Sequence, residues 1–315
     1  MSSDPTPLGE FDYSVFGLRV RSTVPLPELF PGADDAAPDV TISTIGEANG
    51  ARSELNNEGA LFLNVENVGR YKILSGNRII IDANPGVPER NIRLFLLGSA
   101  FGALLHQRGL LPLHANAADI EGNAVAFMAA SGEGKSTLAA WFYDRGYRVV
   151  ADDVCVVGFD ELGQPYAAPG LPRLRLWSET LEHLGLGTSG YDRSYVDPKA
   201  QFDKFDIPIA SHSATSHNIR LAALYVLDVA DQFAVTRLKG LDAAEAIFAN
   251  TYRGYFVSAA NNQHNHWQSS VRLVRSVPVF RASREWGLSK LEDQCRRLLD
   301  HASAQTSSSQ ELSQS

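Results

Sequence analysis

The chain has 315 residues, of which 44% are hydrophobic and 20% are charged, and its formal net charge is −8. This composition supports a substantial hydrophobic core in one or two domains. The acidic balance and the lack of a basic cluster in the sequence argue against nucleic acid as a partner. Cys155 and Cys295 are far apart in the sequence, so we expect neither a disulfide framework nor a zinc site.

The sequence shows no targeting or membrane-spanning segment. Residues 1–5 have neither the basic nor the apolar region of a signal peptide. No uninterrupted apolar run reaches the length that a membrane span needs. We therefore expect a cytoplasmic protein without a membrane partner.

The first third of the chain, residues 1–88, is predicted to be rich in β structure. Runs of alternating or β-branched residues, separated by Pro and Gly, predict strands at residues 11–22, 39–43, 61–65, 69–74 and 78–82. Ser75-Gly76-Asn77 is typical of a hairpin turn. This region has no residue pattern typical of catalysis, so we expect a lid, a docking surface or a contact between copies in a homo-oligomer.

Residues 89–302 are predicted to form an α/β core. Helices are expected at 90–107, 135–145, 179–186 and 288–299, and strands at 111–120, 123–128, 147–159, 221–227, 233–238 and 277–281. We expect the strand at 233–238 to pair with the buried strand at 221–227. Residues 303–315 are rich in Ser and Gln and are predicted to be a disordered tail.

A glycine-rich loop lies between a predicted buried strand, residues 124–128, and a predicted helix. It reads Ser131-Gly132-Glu133-Gly134-Lys135-Ser136-Thr137, which is the inner part of a P-loop. In such a loop, backbone N–H groups and a helix N-terminus surround a phosphate. Lys135 would reach the β- and γ-phosphates, and the hydroxyl of Ser136 would hold Mg²⁺. Ala129 replaces the first glycine, and a Gly/Ser turn before a helix is the simpler alternative.

Two carboxylates, Asp152 and Asp153, end the predicted strand at 147–153. A P-loop enzyme needs a carboxylate at the end of a neighbouring strand to hold metal or to accept a proton. Adjacent residues on a strand point to opposite faces, so only one of them would face the phosphates unless the strand bends. A solvated turn with two aspartates is the alternative.

Three basic residues further along the chain have two interpretations each. Arg173 and Arg175 share one face of a predicted strand and would either face phosphate or be ordinary edge-strand charges. Lys204 would either face an anionic ligand or be a solvated surface lysine.

The segment from Leu113 to Val157 resembles the HPr serine kinase/phosphorylase family. It is more similar to the family's shorter relatives, including the kinases beside lasso-peptide genes that phosphorylate a precursor peptide. The resemblance lies in three elements in order, which are Leu113-His114-Ala115, the loop from Ser131 to Thr137, and Val150-Ala151-Asp152-Asp153.

This resemblance implies a P-loop kinase core related to phosphoenolpyruvate carboxykinase, with ATP and Mg²⁺, and transfer of the γ-phosphate to a serine hydroxyl of a protein or peptide. By position, Asp153 matches the family's proton acceptor and His114 its active-site histidine. Lys135 matches its phosphate-binding lysine and Ser136 its metal ligand, with Asp152 as a further candidate ligand. His114 would orient Asp153 or bind phosphate, and a purely structural histidine is the alternative.

The sequence also departs from the family's pattern. The downstream Glu/Arg signature, which supplies a second metal ligand, is missing, and Glu179 is a poor substitute by position. This departure leaves open whether the reverse phosphorylase activity exists. Residues that would recognise HPr are not identifiable in the sequence, so we do not expect HPr as the acceptor. A P-loop NTPase or nucleotide-binding regulator without a protein acceptor, and a kinase of small-molecule hydroxyls, remain as alternatives.

Overall fold

The computed structural model describes residues 9–32, 36–45, 59–197 and 202–314 and has a mixed α/β fold with three sheets of seven, nine and three strands. The strands, in chain order, are β1 Phe11–Val15, β2 Leu18–Ser22, β3 Phe30–Pro31, β4 Val40–Thr44, β5 Leu61–Val65, β6 Gly69–Leu74, β7 Arg78–Ala83, β8 Leu111–Leu113, β9 Ala115–Ile120, β10 Asn123–Met128, β11 Arg148–Ala151, β12 Cys155–Phe159, β13 Pro165–Ala167, β14 Arg173–Trp177, β15 Asp192–Arg193, β16 Lys204–Pro208, β17 Ile219–Val229, β18 Ala234–Leu238 and β19 Val279–Arg284. The helices are α1 Glu89–Phe95, α2 Phe101–Gln107, α3 Lys135–Asp144, α4 Ser178–His183, α5 Gly240–Ala249, α6 Tyr255–Ala259, α7 Gln263–Ser276 and α8 Leu291–Gln314.

Strands β1 to β7 form the first sheet, in the order β3-β1-β2-β4-β7-β6-β5. The single strand predicted at residues 11–22 is a hairpin, because Phe16 and Gly17 both adopt left-handed backbone angles (φ 55° and 73°) and reverse the chain. Ser75 and Gly76 (φ 51° and 67°) make the same kind of turn between β6 and β7, which confirms the predicted hairpin there.

Helices α1 and α2 cover this first sheet. A π-helical stretch, Leu96–Ala100, joins them, so the helix predicted at 90–107 is interrupted once. Buried side chains of the two layers form one core, with Tyr71, Ile73 and Ile79 from the sheet and Leu97, Phe101 and Leu104 from the helices. One face of the sheet therefore lies in this core, whereas Lys72, Leu74 and Ile80 of β6 and β7 are buried outside it.

The second sheet has its centre at β10 and β17, which are parallel to each other, with β19 parallel to β17 on the other side. Strand β18 pairs with β19 and not with β17, so the predicted pairing of 233–238 with 221–227 is wrong. The reason is that β10 and β19 already occupy both edges of the C-terminal half of β17. All three parallel strands end at the same edge of the sheet.

Helices cover both faces of this sheet, because alternate residues of β10 point to opposite sides. Val125 and Phe127 pack with residues of α3 and α8, whereas Ala126 and Met128 pack with residues of α5 and α7. A strand buried on both faces is apolar throughout, as β10 is. The third sheet, in the order β14-β16-β15, packs against α3.

Helix α8 continues past Ser303 to Gln314, into the segment 303–315 for which the sequence predicts a disordered tail. The cause is burial, since Ala302 and Thr306 are both fully buried. The hydroxyl of Thr306 also donates to a carboxylate oxygen of Glu121 at 2.9 Å, in the turn between β9 and β10. Across the described ranges, no helix is both long and apolar enough to span a membrane.

Candidate functional site

The loop between β10 and α3 makes a tight turn at the edge where the parallel strands end. Gly132 and Gly134 both have left-handed backbone angles (φ 89° and 78°), which favour glycine. A Cβ on Gly134 would also lie 3.0 Å from the guanidinium of Arg284. Ala129, in place of a first glycine, is buried and adds no such strain. The predicted strand, loop and helix are therefore all present.

The N-terminus of α3 opens into this loop. Its N-cap is Gly134, which has no side chain with which to bond the first N–H groups of the helix. These N–H groups and the helix dipole together attract an anion. The loop thus has the geometry and the partial charge that suit a phosphate group.

Lys135 lies across the loop. Its Nζ donates to the carbonyl oxygens of Ala129 at 2.7 Å and Ala130 at 2.9 Å. The side chain is buried, and burial lowers the pKa of Lys135 to about 8. The ammonium group is therefore held within the turn, where a bound phosphate would meet it.

Ser136 and Asp152 meet beside the helix N-terminus. The Ser136 hydroxyl is 3.5 Å from Oδ1 of Asp152, whose Oδ2 accepts a 2.7 Å hydrogen bond from the backbone N–H of Arg175. Burial, and then the neighbouring charge of Asp153, raise the pKa of Asp152 to about 6. A hydroxyl and a carboxylate are oxygen ligands of the kind that Mg²⁺ takes.

This donor set fits a magnesium ion that is shared with a substrate. Within the described part of the chain, no group of three or more His, Cys, Asp or Glu side chains could enclose a metal ion. Mg²⁺ is commonly held by one or two protein oxygens, substrate phosphates and water. Glu179, the weak candidate for a second ligand, lies on α4 and lines the same cleft as Ser136.

His114 and Asp153 come together because the connection from β8 to β9 lies beside the connection from β11 to β12. Leu113 on β8 pairs with Cys155 on β12, and Ala117 on β9 pairs with Ala151 on β11. Between these pairs, the chain passes from β8 into β9 and from β11 into β12, and each of the two segments changes its partner strand. Asp153 makes this bend with a left-handed backbone (φ 71°), which Asp tolerates better than most residues. Asp153 therefore lines the cleft, whereas Asp152 is buried next to it and contacts the hydroxyl of Ser136.

The His114 ring faces Asp153 directly. Its Nδ1 is 3.4 Å from Oδ1 of Asp153 and 3.1 Å from the carbonyl oxygen of the same residue. Burial lowers the pKa of His114, so the ring is neutral at neutral pH. Burial alone would raise the pKa of Asp153, but the charge of Arg175, the largest opposing influence, holds the pKa below its ordinary value. Asp153 is therefore an ionised carboxylate.

Arg173 and Arg175 do not face the phosphate-binding loop, contrary to one of the two predictions. Arg173 is buried and pairs with Asp206 at 2.9 Å. Arg175 pairs with the same carboxylate at 3.3 Å and with Asp153 at 3.5 Å. Ser194 donates to Asp206 as well, at 2.6 Å. This ion-pair network holds Asp153 in position through Arg175.

The cleft itself is a cavity of about 200 Å³ between the loop, β14, β16 and the segment that follows β19. Lys204 lines it, with its ammonium 5.6 Å from the centre of the Trp177 ring, so Lys204 faces the cleft and not bulk solvent. The charged residues in its lining are Lys135, Lys204, Arg284, Asp153 and Glu179.

Arg284 and Trp286 both line the cleft and were not predicted as site residues from the sequence. Arg284 ends β19, is buried, and donates to the carbonyl oxygen of Glu133 in the loop. Among the described residues its Nε has no hydrogen-bond partner. Ligands of open α/β sheets bind at the carboxyl ends of the strands, and this rule could have identified Arg284. Trp286, which is 64% exposed, has no comparable feature in the sequence that could have identified it.

Comparison with known proteins gives a distant likeness among solved structures and no match elsewhere. No protein-family model matches the chain, and no curated protein matches it. Among solved structures, the chain is similar to the Hpr(Ser) kinase/phosphatase from Coxiella burnetii, with 12% sequence identity and a TM-score of 0.35, over 64% of this chain and 96% of that chain. A likeness of this size assigns no activity, so only the side chains of the cleft bear on function.

Proposed function

We propose that the protein is an ATP- and Mg²⁺-dependent kinase with a P-loop core, and that it transfers the γ-phosphate of ATP to a serine hydroxyl of a protein or peptide. One observation carries the proposal. An ionised carboxylate, Asp153, lines the same cleft as the open N-terminus of α3 and Lys135. Phosphate binding and proton acceptance are thereby available side by side.

The nucleotide is the first substrate. Its phosphates would lie on the N–H groups at the start of α3, with Lys135 and Arg284 as cationic partners. The exposed indole of Trp286 gives the adenine a face on which to stack. Mg²⁺, held by Ser136 and Asp152, would neutralise phosphate charge during transfer.

Asp153 is suited to accept the proton of the attacking hydroxyl. As the new bond forms between the serine oxygen and the γ-phosphorus, the bond to the β-phosphate oxygen breaks and ADP leaves. The serine proton passes to the carboxylate of Asp153. Neutral His114 and the guanidinium of Arg175 hold that carboxylate from two sides, which orients it without protonating it. We infer that His114 is a positioning residue.

The acceptor is proposed as a serine within a peptide, and a lasso precursor peptide is one specific case that the resemblance suggests. A P-loop NTPase or regulator would use the same nucleotide contacts but transfer phosphate to water or to nothing. The two functions differ in where the γ-phosphate goes.

The test is transfer from γ-labelled ATP with Mg²⁺ to a panel of serine peptides, including any precursor peptides encoded beside this gene. Asp153→Asn is the matched variant, because Asn also tolerates the left-handed backbone at this position. Asp203→Asn, in an exposed ion pair with Arg193, is the control. Labelled serine that is lost only in Asp153→Asn supports the kinase. Release of free phosphate alone, with no labelled peptide, contradicts it and favours the NTPase.

A further inference from the structure

A second cavity adjoins the first at Asp153. It measures about 360 Å³, and Asp153 is the residue that lines both. The other lining residues come from α1, the π-helical stretch, β14, the segment after β15 and the loop after α5. The carboxylate is therefore accessible from two sides, with the phosphate-binding loop on one and this second cavity on the other.

The walls of the second cavity are aromatic. Phe95 and Tyr195 are in edge contact with ring centres 6.2 Å apart, and Tyr195 meets Phe202 at 6.4 Å. Phe202 in turn packs on Trp177, which lines the nucleotide cleft, at 5.6 Å. A continuous aromatic wall thus joins the two cavities. Phe202 and Trp177 are 36% and 43% exposed, so the wall extends beyond the cavity onto the surface.

Two backbone irregularities occur at this cavity. The π-helical stretch Leu96–Ala100 presents Gly98 to it, and π-bulges are frequent at functional sites. Gly98 and Gly102 also leave room for the Tyr252 ring, which a Cβ would approach to 3.3 and 3.0 Å. Arg253, next to Tyr252, has a left-handed backbone (φ 50°), which is costly for an arginine and persists only when its surroundings enforce it.

Arg253 supplies an accessible positive charge at this cavity. The side chain is exposed, and its guanidinium lies 5.5 Å from the centre of the Tyr252 ring. Arg175, the other cation of the cavity, is instead committed to Asp153 and Asp206. An acidic group of a ligand would therefore find its partner in Arg253.

We propose that this second cavity binds the acceptor: a peptide segment whose serine enters beside Asp153, with an aromatic or large aliphatic side chain next to the serine and an acidic residue toward Arg253. The proposal rests on the kinase function proposed above and adds the recognition of its second substrate. The cavity lies within the roughly 300–1,000 Å³ typical of pockets for small ligands. It can bury one side chain beside the serine, while the exposed part of the aromatic wall supports the chain on either side.

The experiment compares blocked hexapeptides that hold one serine and differ only in the next residue, Phe or Gly. Wild-type protein, Tyr195→Ala and the control Tyr255→Ala are assayed with labelled ATP. Tyr255 is 58% exposed and lines neither cavity. We expect kcat/KM to favour Phe about tenfold in wild type and control. In Tyr195→Ala we expect this preference to disappear, with KM for ATP unchanged.

A second pair of peptides, with Asp or Lys two positions after the serine, tests the charge. Wild type should favour Asp, and Arg253→Glu should reverse that order. Peptides labelled without preference, or a preference that survives both variants, would overturn the acceptor cavity while leaving the kinase in place. If no peptide is labelled although ATP is hydrolysed, the proposed kinase function itself fails, and the acceptor cavity with it.

Discussion

The imidazole Nδ1 of His114 lies 3.4 Å from the carboxylate of Asp153, although 39 residues separate them in the chain. The contact arises where β8 passes into β9 and β11 passes into β12, next to each other in the second sheet. Because the carboxylate is also held by Arg175, its orientation is fixed before any substrate arrives. Such preorganisation is what a catalytic base requires.

Removal of the Lys135 charge should weaken nucleotide binding. In Lys135→Met, the loop loses the cation nearest the helix N-terminus, and the carbonyls of Ala129 and Ala130 lose their donor. Since hydrogen bonds to charged groups contribute about 1.5–3 kcal/mol, we expect the Kd for MgATP to rise at least tenfold. Calorimetric titration measures this, and the exposed Lys239→Met should leave the Kd unchanged. Equal affinities in the two variants would contradict the assigned role of Lys135.

Removal of the Arg284 charge should also weaken the binding of MgATP. Its guanidinium contacts the loop at Glu133 and lines the cleft. Arg284→Met should therefore raise the Kd for MgATP about tenfold or more, because a charge-assisted contact is lost. Arg281 on the same strand is exposed, so Arg281→Met is a matched control. If both variants bind MgATP like wild type, the role of Arg284 is limited to packing.

Trp286 should report nucleotide binding directly. Its indole is exposed at the edge of the cleft, and base stacking on an aromatic ring contributes about 1–3 kcal/mol. We expect ATP to change the intrinsic fluorescence of wild type and Trp286→Ala to bind ATP about tenfold more weakly, with most of the fluorescence change lost. Trp267, 50% exposed and stacked on Phe248 outside the cleft, provides Trp267→Ala as the control. A fluorescence change that persists in Trp286→Ala would place the adenine elsewhere.

Asp206 should stabilise the fold in a pH-dependent way. Burial alone would raise its pKa, but the charges of Arg173 and Arg175 outweigh it and lower the pKa below 3.8. Asp206→Asn leaves buried Arg173 without its carboxylate, so at pH 7 we expect a loss of about 3 kcal/mol in the free energy of unfolding.

The pH dependence of this difference follows from the direction of the shift. A carboxylate with a lowered folded pKa stabilises the fold above its unfolded pKa, and this contribution is lost as the pH falls through the folded value. The difference in the free energy of unfolding between wild type and Asp206→Asn should therefore be complete above about pH 4 and shrink below it. Urea unfolding across this range measures it, with Asp203→Asn, from an exposed pair, as control. A gap that stays constant on acidification would contradict the charge pairing.

The local part of the site could be predicted from the sequence, whereas its long-range contacts could not. The loop from Ser131 to Thr137 and the Asp152-Asp153 pair are contiguous motifs, so their residue types and spacing suffice. The position of Arg173 and Arg175 depends on Asp206, on a partner strand more than 30 residues later. No local pattern in the sequence reveals that pairing. The sequence around the two arginines is therefore equally compatible with both predictions.

In the fold as well, local features could be predicted from the sequence and long-range contacts could not. Hairpins such as β6–β7 are set by adjacent turn residues and were predictable. The pairing of β18 with β19 and the approach of Arg284 to the loop, 151 residues away, depend on which sheet edges remain open after the core has formed. The helical residues beyond Ser303 likewise depend on burial of Thr306 against the β9–β10 turn. Composition alone favours disorder there.

The central claim is that Asp153 acts in phosphate transfer and not in nucleotide binding. The most direct measurement determines both the Kd for MgATP and the rate at which the γ-phosphate leaves ATP, in wild type and in Asp153→Asn. We predict a rate at least 100-fold lower in the variant, the usual contribution of a catalytic base, with a Kd within about threefold of wild type. An unchanged rate, or a loss of rate that follows entirely from lost MgATP binding, would contradict this account.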